Sequence, residues 1–174
     1  MNQALLIKRI TRNAIMLAIM CVVGMIALPL GDNIKVSLQL LIVFIIGLTS
    51  ASFIDGVIIM SLYLLLGLFM PIYAGFRAGI TPTFGFVISF VVIVIPLYFI
   101  NKLKIKNQFL RMGLACFVAL LLCYTIGTLF LKLYLNLSIE KALLIAVVPY
   151  IPFDIAKIII AILVVSLLPR KVVS

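Results

Sequence analysis

Long apolar runs with few or no charges dominate the chain and are separated by short polar stretches. Six of these runs approach the length of about 20 residues that a helix needs to cross the hydrocarbon core of a bilayer. They cover residues 14–30, 36–54, 57–76, 80–100, 109–131 and 143–168. The pattern therefore predicts an all-α membrane protein with six transmembrane helices.

The third run contains two residues that interrupt a helix, Pro71 and Gly75. A proline removes a backbone donor and clashes with the preceding turn, and a glycine beyond it favours a change of direction. We therefore expect a continuous helix of only about 15 residues, followed by a surface loop over residues 72–77.

Composition leaves little room for anything besides these helices. Of the 174 residues, 67% are hydrophobic and 10% are charged, against about half and a quarter in soluble domains. Six spans need about 120 residues, so we expect one six-helix transmembrane domain over residues 1–174. The glycines form no G-x-x-x-x-G-K-[ST] phosphate loop, so any energy from ATP has to come from a partner.

The basic residues indicate how the chain lies in the membrane. The net charge is +10, but the charges form short clusters between apolar runs, which is typical of membrane-protein loops and not of nucleic-acid binding. Nine fall on one side: Lys8, Arg9, Arg12, Lys102, Lys104, Lys106, Arg111, Arg170 and Lys171. Four fall on the other: Lys35, Arg77, Lys132 and Lys141. The positive-inside rule then predicts cytoplasmic N and C termini. No A-x-A site follows the first run, so we expect a retained helix and not a cleaved signal peptide.

The chain offers little chemistry for a catalyst. It has no histidine, and its three cysteines lie inside apolar runs without C-x-x-C spacing. This excludes a zinc, haem or histidine-based site. An intramembrane enzyme would need a nucleophile with a base, paired acids or a metal, and only Asp154 and Lys157 are available. We therefore expect a protein that is not an enzyme.

The segment around Asp154 and Lys157 is the clearest candidate site. Pro149 and Pro152 end any incoming helix, and Pro152 suits the first turn of a new one. Asp154 then lies near the positive end of that helix, with Lys157 on the same face. Counted from Leu168 the carboxylate is about 21 Å along the helix, in the outer half of the bilayer. Such a pair suits a small ligand with N–H and carbonyl groups, for example a cyclic urea. The alternative is an ion pair that only fixes helix packing.

A loop over residues 71–86 is the second candidate. It combines turn residues with aromatic rings and one base on the predicted outer side. Tyr73 and Phe86 are suited to covering an apolar ring, and Arg77 and Thr83 to polar contacts. The alternative is an ordinary turn whose aromatic residues anchor it at the membrane interface.

Two isolated polar residues lie at the ends of apolar runs. Gln39, near the outer start of the second helix, either bonds a neighbouring helix or faces a cavity, and both alternatives stay open. Asp55, beside Gly56, is interpreted as a turn residue on the cytoplasmic side.

Small residues in the first run, Ala14 and Ala18, form an A-x-x-x-A pattern. This spacing leaves a shallow groove that allows close approach of another helix. The sequence does not decide between packing inside the chain and docking on a partner.

Four segments together resemble the BioY family, the biotin-binding S components of energy-coupling factor (ECF) transporters. Residues 34–39 (IKVSLQ) are similar to the family's V-P-F-T-L-Q, and residues 61–75 (SLYLLLGLFMPIYAG) to its Y-L-L-L-G-x-x-G-L-P-V-F-A-G. Residues 82–86 (PTFGF) are similar to P-T-x-G-[FY], and residues 149–157 (PYIPFDIAK) to P-F-[IL]-P-G-D-x-x-K. The segments follow in the same order and cover most of the chain.

The resemblance implies a six-helix subunit in the plasma membrane of a prokaryotic cell. This subunit would capture biotin from outside, without a covalent cofactor, and deliver it with a transmembrane T subunit and two cytoplasmic ATPases that use ATP. The family's Asp and Lys carry over to Asp154 and Lys157 as ligand-binding residues. The small-residue pattern carries over to Ala14 and Ala18 as the contact with the T subunit. The implied mechanism is reorientation of the whole S component in the membrane.

Two departures from the family pattern concern the ligand. Only six residues separate Gly75 from Pro82, a shorter connection than in the family, and Phe153 replaces the glycine before the aspartate. Phe153 adds a large ring beside the polar pair and is expected to contact the ligand. The first alternative is therefore the same transporter class with lipoate, which has a sulfur ring and a valerate tail but no ureido group. The second is a structural membrane subunit that binds no ligand.

Overall fold

The computed structural model describes residues 3–29 and 35–168. These residues form α1 (Gln3–Gly24), α2 (Gln39–Thr49), α3 (Phe53–Phe69), α4 (Phe84–Asn101), α5 (Gln108–Leu135), α6 (Ile139–Ala146) and α7 (Ile151–Leu167). Between α1 and α2, strands β1 (Ala27–Pro29) and β2 (Lys35–Ser37) pair antiparallel, with Leu28 opposite Val36.

The predicted all-α architecture is confirmed. Of the described residues, α4, α5 and the stretch from α6 through α7 are long and apolar enough to cross a membrane, and α2 and α3 are shorter apolar helices. The last predicted run is divided, because a 3-10 turn (Val148–Tyr150) containing Pro149 separates α6 from α7. Six helices thus correspond to the six runs, and α6 is a short addition before the last.

The first two predicted runs have wrong boundaries. Helix α1 begins at Gln3, before the predicted run, because the basic residues Lys8, Arg9 and Arg12 do not interrupt the helix. It ends at Gly24, and residues 27–29, which were predicted as helix, form a strand. The second run contains a break over residues 50–52, where Ser52 caps α3 by accepting a hydrogen bond from the Ile54 backbone N–H at 3.3 Å. The predicted early end of the third helix is confirmed, since α3 ends at Phe69 after 17 residues.

Helix α4 lies at the centre of the packing, against α2, α3 and α5, and α7 packs on α2 and α5. The fully buried side chains include Phe44 of α2, Tyr63 of α3 and Leu97 of α4. Gly47 leaves no room for a Cβ beside Leu97, which lets α2 and α4 approach closely. Many large apolar side chains face outward, for example Phe117 on α5, as expected for helices whose outer faces contact lipid.

Asp55 is more than a turn residue. Its side chain is 3% exposed, and both carboxylate oxygens accept hydrogen bonds from Arg9 Nε at 2.8 Å. Asn13 Nδ2 donates a further bond at 2.8 Å. Both donors lie on α1, so this carboxylate ties α1 to the start of α3. This contact could not be predicted from the sequence, because Arg9 and Asp55 are 46 positions apart.

The connections gather at two ends of the helices. The β-hairpin, residues 70–83 and residues 136–150 lie at one end, which we call the hairpin end. The turns over residues 50–52 and 102–107 lie at the other. The polar groups described next belong to the hairpin end.

Candidate functional site

A cavity of about 580 Å³ opens at the hairpin end. Its walls come from both strands, from the loop between α3 and α4, and from α2, α4, α5, α6 and α7. The lining residues are Ala27, Ser37, Gln39, Leu40, Ala74, Arg77, Pro82, Thr83, Phe86, Phe90, Cys123, Tyr124, Leu131, Leu135, Ile145, Ala146, Tyr150, Asp154 and Lys157. The size lies within the range of small-molecule sites, about 300–1,000 Å³.

Asp154 and Lys157 face this cavity as an ion pair. Lys157 Nζ donates to Asp154 Oδ1 at 2.6 Å. Lys157 is 7% exposed and Asp154 is 4% exposed. Helix α7 begins after Pro149 and carries Pro152 in its first turn, which places Asp154 at the helix N-terminus, where the helix dipole favours a negative charge. The predicted pairing of Asp154 with Lys157 and the predicted position of Asp154 near the start of a helix are confirmed.

A third member of this cluster, Tyr124, was missed by the sequence analysis. Its hydroxyl donates to Asp154 Oδ2 at 2.6 Å from α5. Tyr124 lies inside an apolar run, 30 positions from Asp154, where a tyrosine is not distinguishable from a core aromatic. The only signal in the sequence is its hydroxyl, since a buried tyrosine hydroxyl usually has a hydrogen-bond partner.

Gln39 takes part in both of the arrangements that the sequence left open. Its Nε2 donates to Tyr63 Oη of α3 at 2.6 Å, and its Oε1 accepts from Ser37 Oγ at 3.2 Å. Tyr63 Oη in turn donates to the Ile72 carbonyl at 3.0 Å. Gln39 therefore bonds a neighbouring helix and also lines the cavity.

The loop between α3 and α4 gives a mixed result. Arg77 and Thr83 line the cavity and are exposed, and Phe86 lines it from the first turn of α4. Tyr73 instead packs into the core, where its ring lies over Gly67 and its hydroxyl donates to the Leu64 carbonyl at 2.6 Å. Burial raises the pKa of Tyr73 to about 12. Tyr73 is a core residue and does not reach the cavity.

Phe153 also lies outside the cavity lining. It is half-buried and precedes Asp154 on α7, so its side chain leaves the helix in a different direction from that of Asp154. The sequence argument placed the ring beside the polar pair because Phe153 precedes Asp154, but two consecutive residues of a helix do not share a face.

The charges of the cavity define the ligand it can hold. Among the described residues its lining contains two cations, Lys157 and Arg77, and one anion, Asp154. The rest of the wall is mostly apolar, with hydroxyl and amide groups from Thr83 and Gln39. The described residues contain no cluster of three or more side chains suited to a metal ion. The site is suited to a small amphipathic molecule with N–H donors, carbonyl acceptors and an anionic group.

The two alanines of the A-x-x-x-A pattern lie far from this cavity on the chain. Ala14 and Ala18 are both exposed on α1. Neither is covered by another helix of the described chain, so packing inside the chain does not account for their spacing.

A family model and a curated relative name the same family, and a solved structure has a similar fold. A family model described as "BioY family" matches residues 1–173. A curated relative, "Biotin transporter BioY" of Thermotoga maritima, is 29% identical over 166 residues, which is 90% of this chain and 93% of that protein. A crystal structure at 2.1 Å, of the S-component for biotin from an ECF-type ABC transporter, has a similar fold, with a TM-score of 0.81 and 22% identity over 95% of this chain and 92% of that chain.

Proposed function

Because this chain belongs to the BioY family of membrane transport proteins, we propose that it captures biotin as the S component of an ECF-type importer. Members of this family bind substrate and are not enzymes. The relative and the solved structure carry biotin in their names. The observation that carries the proposal is the cavity at the hairpin end, with Asp154 and Lys157 buried in its wall.

Hydrogen-bonding capacity at the polar pair supports a ureido ring as the ligand group. A carboxylate has about four lone-pair positions and an ammonium has three donors. Lys157 and Tyr124 each use one position on Asp154, which leaves others for the two N–H groups of the ring. Lys157 keeps donors for the ring's carbonyl oxygen. A purely structural ion pair would not need a cavity beside it.

Other residues of the cavity wall support the rest of the molecule. Phe86 and Leu131 offer apolar surface for the thioether ring and the valerate chain. Arg77, exposed at the edge of the cavity, offers a cation for the valerate carboxylate. The proposed orientation therefore places the ureido ring at α7 and the carboxylate at the loop.

Lipoate loses one of the two arguments in its favour, since Phe153 does not line the cavity. The short connection between Gly75 and Pro82 remains as the other. Lipoate has a carboxylate for Arg77 but no N–H donors for Asp154. We therefore place biotin first and keep lipoate as the comparison ligand.

The test is a binding titration of the purified chain with biotin and, in parallel, with lipoate. We expect nanomolar biotin binding, and a loss of more than tenfold in Asp154→Asn, since one charge-assisted hydrogen bond is worth about 1.5–3 kcal/mol. Lipoate binding with no biotin binding would replace the ligand. If neither ligand binds, or if Asp154→Asn binds biotin as the native chain does, the proposed site is wrong.

Delivery of the ligand requires partners, and we propose a T subunit and two ATPases. The support is the name of the similar structure, an S-component of an ECF-type ABC transporter, together with the exposed Ala14 and Ala18 on α1. The location would be a prokaryotic plasma membrane, with both termini in the cytoplasm and residues 1–174 as one domain. Co-purification of tagged chain with the ATPase subunits tests the assembly, and cysteine labelling at each terminus tests the orientation.

A further inference from the structure

The Asp154 carboxylate is held at both of its oxygens, by donors that come from different helices. Lys157 lies three positions along α7 and donates to Oδ1, and Tyr124 lies on α5 and donates to Oδ2, each at 2.6 Å. Because Lys157 belongs to the same helix, it moves with Asp154. Among the hydrogen bonds of the described residues, the one from Tyr124 alone ties this carboxylate to another helix.

This difference matters for the direction in which the carboxylate presents its lone pairs. An aspartate side chain with only an i+3 lysine can rotate together with that lysine and still keep the pair. A second bond from a fixed phenol on α5 removes this freedom, because both oxygens then have a set partner. The remaining lone pairs of Asp154 keep one direction, which is into the cavity that all three residues line.

We propose that Tyr124 is a positioning residue of the binding site, which orients the Asp154 carboxylate for the N–H donors of the ligand. The inference rests on the proposed function, since it assumes a ligand with such donors. Tyr124 acts through Asp154, so its hydroxyl contributes to affinity only while the carboxylate is present.

The ring of Tyr124 also borders a second space in the structure, and this determines which substitution suits the test. Tyr124 also lines a separate, mostly apolar groove of about 390 Å³ between α5 and α6, together with Leu121 and Leu143. The ring therefore stands between this groove and the cavity. Tyr124→Phe keeps that wall and removes only the hydroxyl, whereas a smaller residue would also join the two spaces.

The first test is a double-mutant cycle on biotin binding. Tyr124→Phe should weaken binding about tenfold in the native background, the size expected for one hydrogen bond to a charged group. In the Asp154→Asn background the same change should have an effect of less than twofold, with biotin titrated to millimolar concentration. The control variant Tyr134→Phe removes a tyrosine hydroxyl at another position of α5 and should bind biotin as the native chain does. Equal losses in both backgrounds, or no loss in the native background, would overturn the inference.

The second test needs no ligand. Infrared spectra of the chain with ¹³C-labelled aspartate carboxylates should show an Asp154 band, identified by its absence in Asp154→Asn. This band should shift in Tyr124→Phe and stay in place in Tyr134→Phe. An unshifted band would overturn the inference, even if biotin does not bind. A shifted band in a chain that binds no biotin would keep the Tyr124 contact and reject the proposed function alone.

Discussion

Removing one charge of the buried pair should destabilise the fold more than removing both. In Asp154→Asn the Lys157 ammonium, whose side chain is 9% exposed, keeps its charge and loses its counter-ion. Breaking a buried ion pair in this way costs about 3–5 kcal/mol. For a chain of this size that corresponds to a decrease in the unfolding temperature on the order of 10 °C.

The double variant Asp154→Asn with Lys157→Met separates this cost from ligand recognition. Methionine has nearly the length of the lysine stem and no charge, so no ion is left unpaired in the protein. We expect the double variant to recover at least half of the lost thermal stability, because replacing a whole buried pair by neutral side chains is often close to neutral. Biotin binding should be weakened by more than tenfold in both variants, since neither has the carboxylate.

The assay is thermal unfolding in detergent without ligand, followed by a biotin titration of the same samples. An unfolding temperature of Asp154→Asn equal to that of the native chain would show that the pair carries no charge inside the fold. A double variant no more stable than the single one would show that shape and not charge sets the cost. Either result would refute the electrostatic argument.

Three further changes test other parts of the structure. Gly67→Ala should destabilise the chain by about 1–3 kcal/mol, because the Tyr73 ring occupies the space of a Cβ; an unchanged unfolding temperature would contradict this packing. Asp55→Asn should increase proteolysis of α1 while leaving biotin affinity within about twofold, because it removes the charged acceptor that joins α1 to α3; native resistance to protease would contradict the role of this contact. Leucines at Ala14 and Ala18 together should abolish co-purification with the ATPases and spare biotin binding, because both alanines are exposed on α1; an intact complex would locate the docking surface elsewhere.

The sequence alone predicted those contacts whose residues lie close together along the chain. Asp154 and Lys157 are three positions apart, so helix geometry alone predicts the pair, and Pro152 predicts where the helix begins. Apolar runs predict the number of spans but not their ends, since a helix can continue through basic residues, as α1 does through Lys8, Arg9 and Arg12.

Contacts between segments that are distant along the chain could not be predicted from the sequence. The bond from Tyr124 to Asp154 joins positions 30 apart, and that from Arg9 to Asp55 joins positions 46 apart. The burial of Tyr73 depends on Gly67, whose missing side chain makes room for the ring. A single sequence gives the residue types for such contacts, but it does not give the packing that brings them together.

The cavity wall and α1 lie on two sides of one hydroxyl group, that of Tyr63. Gln39, in the cavity wall, donates to Tyr63 Oη at 2.6 Å, and a Cβ at Gly24 of α1 would lie only 2.8 Å from that same oxygen. The position of Tyr63 Oη is therefore constrained by the cavity on one side and by α1 on the other. A displacement of α1 by docking at Ala14 and Ala18 would change the packing around this hydroxyl. By linkage, any factor by which docking changes biotin affinity is the factor by which biotin changes docking affinity.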